Sequence, residues 1–276
     1  MAVNLATKYS KKVDERFSLE SLTENIGLNK EYDWAGVKTV TVYNINTAPM
    51  NNYTRQGTSR YGTPAELEDN TTDYSLSKDR SFTYTIDRGN YTEQLMVKEA
   101  GKSLARQIKE VVVPEIDAYR IARWSAAAIA NSHVATATVS STTAYAKFLD
   151  AQEALDEAKV PVNGRICFVT PKFYNLIKQD DTFIKAGDMS QKMLINGQVG
   201  EIDGVRIIKA PSSYFPANHA FILLHPKCSV SPKKLEDYKI HDNPPGINGW
   251  LIEGRVIYDC FVLEAKKDAI YVHKTA

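Results

Sequence analysis

The 33 residues from 48 to 80 contain almost no aliphatic side chains: Ala48, Met50, Ala65, Leu67 and Leu76 are the only non-aromatic apolar residues. A segment with so little to bury cannot offset the ordering of its own backbone, roughly 1–2 kcal/mol per residue. That excludes it as a core-forming unit, and loops of this length in compact domains tend to be functional or disordered. Other shortages exclude whole classes of protein. The longest aliphatic runs, AAAIA (126–130) and AFILL (220–224), fall far short of the ~20 residues that span a bilayer, so no membrane segment is expected. The opening MAVNLATKYSKK lacks the apolar stretch of a signal peptide. Lys+Arg 34 against Asp+Glu 33 leaves a net charge of +1, too weak to draw the whole molecule to nucleic acid.

Chemistry is scarce too. The three cysteines are widely spaced without a CxxC, and Cys167 and Cys260 lie in apolar strand-like runs (RICFV, YDCFVL) that read as sites of buried, reduced thiols. A cytoplasmic product, or one assembled there, is expected. None of His133, His219, His225, His241 and His273 pairs at metal-ligand spacing, and no GxSxG elbow occurs. The glycines of GQVGEIDG (197–204) lack phosphate-loop spacing and lead into a strand. Asp180 and Asp181 read as surface acids, and the lysine pairs at 11, 233 and 266 as solvated turns. No catalytic residue, cofactor site or metal site is expected, and a small α/β enzyme is disfavoured.

What is present is organisation. Val37 to Ile45 is almost entirely β-branched or aromatic, and Ser81 to Asp87 alternates with Phe82, Tyr84 and Ile86 on one face. These strands flank the polar segment, which predicts a long two-stranded arm whose tip packs on another molecule. Residues 1–34 have no sustained period and read as an arm, with a short helix at Asp14 to Leu22 as the alternative. A helical tract runs from Thr92 to Ser132, with Val97, Gly101, Leu104, Ile108 and Val111 forming an apolar stripe and Arg106 and Glu110 at i,i+4. Pro114 followed by Glu115 and Asp117 predicts a helix restart or kink in a single collinear spine, because VVVPEID offers no turn. After the polar stretch 136–143, a helix is expected at Ala144–Lys159, with strands at Arg165–Val169, Val205–Lys209, Ala220–Leu224, Trp250–Glu264 and Ala269–His273. Thr170 and Pro171 predict a capped helix to Gln179, and Asp203-Gly204 a turn. The plan is α+β.

Tyr53, Tyr61 and Tyr74 stand in the polar arm, and tyrosine is enriched at interfaces. With Arg55 and Arg60 in the arm, and Arg80, Asp87 and Arg88 near its base, they are the candidate inter-subunit residues. Arg80, Asp87 and Arg88 are expected to form inter-subunit ion pairs.

In this order, the segments RSFTYTIDRGNYTEQ (80–94), VVVPEIDAYR (111–120), KVPVNGRICFVTPKFYNLI (159–177), VGEIDGVRIIKAP (199–211) and GRVIYDCFVLEAKKDAIYV (254–272) resemble the major capsid proteins of tailed bacteriophages, with the Hong Kong 97-like shell fold. The resemblance implies an N-terminal arm (1–35), an extended β-hairpin loop (36–91), the spine helix of a peripheral domain (92–135), an α/β axial domain (136–240) and closing β-strands (241–276). It implies a subunit that self-assembles as hexamers and pentamers into an icosahedral shell around double-stranded DNA, in the virion and assembled in the host bacterial cytoplasm. With the hairpin beginning by residue 37, no helical scaffolding extension fits before it. A separate scaffolding protein and a portal are therefore the implied partners. Lys78, the one lysine in 48–80, sits beside a strand, which disfavours the covalent crosslink that some members make. The alternative on the same fold is an encapsulin-like compartment enclosing a cargo enzyme, which an N-terminal amphipathic helix would favour.

Overall fold

The computed structural model describes residues 21–30, 39–64, 66–89, 100–180 and 200–276. All but the last two residues of the expected helix at Asp14–Leu22, and residues 92–99 of the expected helical tract, lie outside the described residues.

The spine is one helical run. Helix α1 (Ala100–Gln107) passes through a π turn (Ile108–Val112) into α2 (Val113–Ala130), and Gln107, Val112 and Val113 all keep helical dihedrals. The 31 residues span about 45 Å at 1.5 Å per residue. The π turn explains how Pro114 is tolerated. Pro114 has no N–H, and its ring would strike the carbonyl four residues back. The widened turn, with the Val113 N–H reaching Ile108 O, opens the ladder at that point. The apolar stripe is only partly used: no described residue of Ala100–Val112 is buried and Val111 is 46% exposed. By contrast, α2 buries Ile116, Ile121, Trp124 and Ala128. The expected Arg106–Glu110 pair forms at 2.7 Å.

The spine carries two sheets. Under α2 lies a six-stranded sheet ordered β4 (Val134–Thr136), β13 (Ile270–Lys274), β8 (His219–Leu224), β5 (Ile166–Val169), β7 (Val205–Lys209), β6 (Glu201–Ile202). Its central strands are apolar throughout because both faces are covered. Ile166, Phe168, Ile222 and Leu224 meet Ile121, Trp124 and Ala128 of the spine. Cys167, Val169, Phe221 and Leu223 meet α3 (Ala144–Glu157) and α4 (Pro171–Lys178) through Phe148, Leu155, Phe173 and Ile177. Thr170 caps α4 through Phe173 N, as the sequence predicts. Asp203 and Gly204 both take positive φ in the tight turn between β6 and β7.

Beside the first half of the spine, β10 (Lys233–Asp242), β11 (Gly249–Tyr258) and β3 (Lys78–Asp87) form an antiparallel sheet. Phe82 and Tyr84 share one face of β3 as expected, their rings stacked at 6.3 Å, and Tyr84 Oη lies 2.9 Å from Ser103 Oγ of the spine. Gly254, mid-strand in β11, pairs with Tyr238 and Phe82, and a Cβ there would sit 2.4 Å from the Phe82 ring. A short pair, β9 (Ser229–Val230) with β12 (Phe261–Val262), joins the two parts.

Five expectations need correction. Val37–Ile45 does not share a hairpin with Ser81–Asp87: β1 (Thr39–Ile45) pairs with β2 (Asp69–Ser75), and β3 pairs with β11. The polar sequence DNTTDYS hid β2, which forms because β1 supplies its ladder while most of its side chains face water. Lys233-Lys234 is no turn but the start of β10, and the boundary expected after residue 240 falls inside that strand. Asp180 is not a surface acid; it is buried, and its carboxylate caps α3 by accepting from Tyr145 N at 3.0 Å. The strand expected as Trp250–Glu264 breaks at Asp259 into β11 and β12.

Candidate assembly site

The β1–β2 hairpin is held by its ladder and little else. Outward threonines add side-chain bonds, Thr39 Oγ1 to Ser75 Oγ at 2.7 Å and Thr41 Oγ1 donating to Asp73 at 2.5 Å. On the other face Val40 pairs with Tyr74 and Val42 with Thr72. Asn46 N donates to Glu68 O, and beyond that the described residues form no regular structure until β2. Every described residue from 45 to 71 is exposed except Gly62. Yet this stretch carries Ile45 (64% exposed), Met50 (99%), Tyr61 (84%), Tyr53 and Leu67. An exposed apolar set on an arm with no core of its own is the signature of a surface covered by something else.

The candidate residues divide into three groups. Tyr53 and Tyr61 come together near the tip, edge to face at 5.0 Å. Arg55 is exposed nearby, and Arg60 Nε donates to Gly57 O. Tyr74 sits at the root, against Phe261 at 5.2 Å, with its hydroxyl accepting from Glu264 N and donating to Val262 O. Arg80, Asp87 and Arg88 lie on or just after β3 and have partners within the chain. Arg80 meets Glu115 of the spine at 2.7 Å, which raises the pKa of its guanidinium. Arg88 meets Asp242 at 3.0 Å and lies over the Trp250 ring, and Asp87 accepts from Gly89 N. Lys78 lies over the Tyr119 ring at 5.2 Å, at the root and not the tip.

Two buried polar nodes anchor the chain around the spine, and neither was anticipated. Asp117 accepts from Ser21 Oγ, Leu22 N and Thr23 Oγ1, while Arg120 donates to Thr23 Oγ1, Glu24 and Ser231 Oγ. The Thr23 hydroxyl thus bridges the two charges and straps residues 21–24 across α2. The second node is Asp259, which accepts from Ser77 and from Tyr119 Oη. The sequence signal for Asp259 was an acid inside an apolar run, VIYDCFVL, which has to find donors if buried.

Between β2 and the alanine-rich end of α2 runs a groove of about 490 Å³, lined by Tyr74, Arg123, Ala126, Ala130 and Phe261. The three thiols are buried, which pushes Cys260 up to about 11 and Cys228 to about 12, and raises Cys167 strongly. Burial first, then the Glu115 carboxylate, raises Tyr258. Among the described residues no cluster of potential metal ligands occurs, and no helix is long and apolar enough to cross a membrane.

The whole arrangement recurs in solved structures. The chain superposes on a protein of Mycobacterium phage Che8 with a TM-score of 0.72 at 15% identity, covering 97% of this chain and 96% of that one. For the capsid structure of the cyanophage P-SCSP1u the TM-score is 0.74 at 14% identity, over 98% and 93%. For the mature capsid of bacteriophage PhiM1 it is 0.69 at 12% identity, over 98% and 92%. The fold is therefore the α+β, Hong Kong 97-like capsid fold. No curated protein matches in sequence. The model of a phage capsid protein family matches residues 70–272, well over half of the chain. This chain belongs to that phage capsid protein family.

Proposed function

We propose that the chain is the major head protein of a tailed phage, assembling as hexamers and pentamers into an icosahedral shell that encloses double-stranded DNA. The observation that carries this reading is the hairpin: five large apolar side chains, Ile45, Met50, Tyr53, Tyr61 and Leu67, stand in solvent on an arm without a core. A neighbouring copy supplies the missing surface, and burying each such side chain contributes about 1.5–3 kcal/mol. The incompletely covered stripe at Leu104, Ile108 and Val111 gives a rigid strut along which a neighbour's arm can lie. In this reading residues 1–35 are an N-terminal arm, 36–91 the extended loop region and 92–135 the spine, followed by an axial domain from 136 and by closing strands that include the whole of β10.

Near-neutral charge suits a wall that encloses DNA without gripping it, since each phosphate neutralised would add salt-dependent affinity. A separate scaffolding protein and a portal complete the assembly, in the host bacterial cytoplasm. The family match favours this reading over an encapsulin-like compartment. Hydrogen exchange tests it: amides of 46–68 should exchange fast in the free subunit and become strongly protected in sedimented particles. Equal exchange in both states would remove the hairpin from the subunit contact.

A further inference from the structure

The root of the hairpin converges on one buried carboxylate. Asp259 is 1% exposed, and its two oxygens accept four hydrogen bonds from three parts of the chain. Oδ2 takes Ser77 N at 2.7 Å and Ser77 Oγ at 2.8 Å, in the link between β2 and β3. Oδ1 takes Tyr119 Oη of the spine at 2.7 Å and Cys260 N at 2.8 Å. Its own backbone is seated by Asp259 N to Pro232 O and by Ser231 Oγ to Asp259 O. Alongside, Leu76 is buried against Phe261, Val40 and Ile257.

We infer that Asp259 is a positioning residue for assembly, the pin that sets the direction in which the hairpin leaves the spine. This rests on the reading of the hairpin as an inter-subunit arm. The seven residues of β1 extend about 24 Å at 3.4 Å each, so a tilt of about 10° at the root displaces the strand end by about 4 Å. That approaches the spacing of two paired strands, enough to miss a matched surface on a neighbour. The site also demands an acid. Each oxygen faces one backbone N–H, Ser77 N on one side and Cys260 N on the other. An asparagine would turn its NH2 onto one of these donors in either orientation, whereas a carboxylate accepts on both sides. The Tyr119 hydroxyl, pushed up to about 12 by burial and by Asp259, remains a donor at neutral pH.

The experiment compares wild type with Asp259→Asn, and with the double variant Ser77→Ala/Tyr119→Phe. The double variant keeps the carboxylate and both backbone bonds, and so stands in if the asparagine does not fold. In the unassembled subunits, amide exchange at 76–79 should rise at least tenfold while that of β8 is unchanged. Micrographs of the assembled material should show the single particle size of wild type replaced by mixed diameters or open sheets. Unchanged exchange at 76–79, loosening that spreads to β8, or particles of wild-type size would each overturn the inference. Failure of wild type itself to assemble would instead sink the capsid-subunit reading, and the exchange comparison would still judge the pin.

Discussion

Thr23→Val tests the strap across the spine with almost no change of shape. The Thr23 side chain is wholly buried, and its hydroxyl donates to Asp117 Oδ1 at 2.5 Å while accepting from Arg120 Nη1 at 2.8 Å. Valine removes both bonds and sets a methyl group against a buried acid and a buried guanidinium. Each bond to a charged group is worth about 1.5–3 kcal/mol. Asp117 keeps Ser21 and Leu22 N, and Arg120 keeps Glu24 and Ser231, so the loss falls below the sum of two full bonds. The expected destabilisation is about 2–4 kcal/mol, with Thr23→Ser recovering most of it. Urea unfolding of the unassembled subunit measures the global part, and amide exchange at 22–24 measures local release of the strap. A loss under about 1 kcal/mol with unchanged local exchange, or a serine no better than valine, would refute the bridging role.

Gly254→Ala should cost about 1–3 kcal/mol in the same assay, because the new Cβ meets the Phe82 and Tyr238 rings at 2.4 and 2.8 Å; an alanine as stable as wild type would mean both rings move freely. Burial lowers the pKa of His273, His219 and His225 below 6.5, so the unfolded chain binds more protons and stability should fall as pH drops below about 6.5. His273, stacked on Phe221 with Nδ1 unpartnered, should dominate, and His273→Phe should flatten the pH dependence of the urea midpoint. Arg88→Glu breaks an exposed pair with Asp242 and the contact over the Trp250 ring, both at the surface, and should lower the unfolding midpoint only slightly, so a fall in assembly yield would report an inter-subunit role; unchanged yield and salt sensitivity would remove Arg88 from that surface.

Elements with a strong period or a cap were legible in the sequence. The helix after Thr170, the Asp203-Gly204 turn, the buried runs of β5 and β8 and the uninterrupted spine through Pro114 all follow local rules. What escaped was built by partners distant in the chain. β2 and β10 are polar strands whose neighbours supply the ladder, so neither shows a strand composition. Asp117 and Arg120 look like ordinary helix surface until residues 21–24 cover them. The arm's lack of apolar residues was plain in the sequence. The strand that closes it was not, because Ser81–Asp87 is the stronger strand and is used elsewhere.

Electron microscopy of the purified, concentrated protein tests the central claim most directly. A capsid subunit should give closed shells, or the tubes and rings of the same lattice, with hexameric units visible in averaged views. A monodisperse monomer at every concentration would contradict the account.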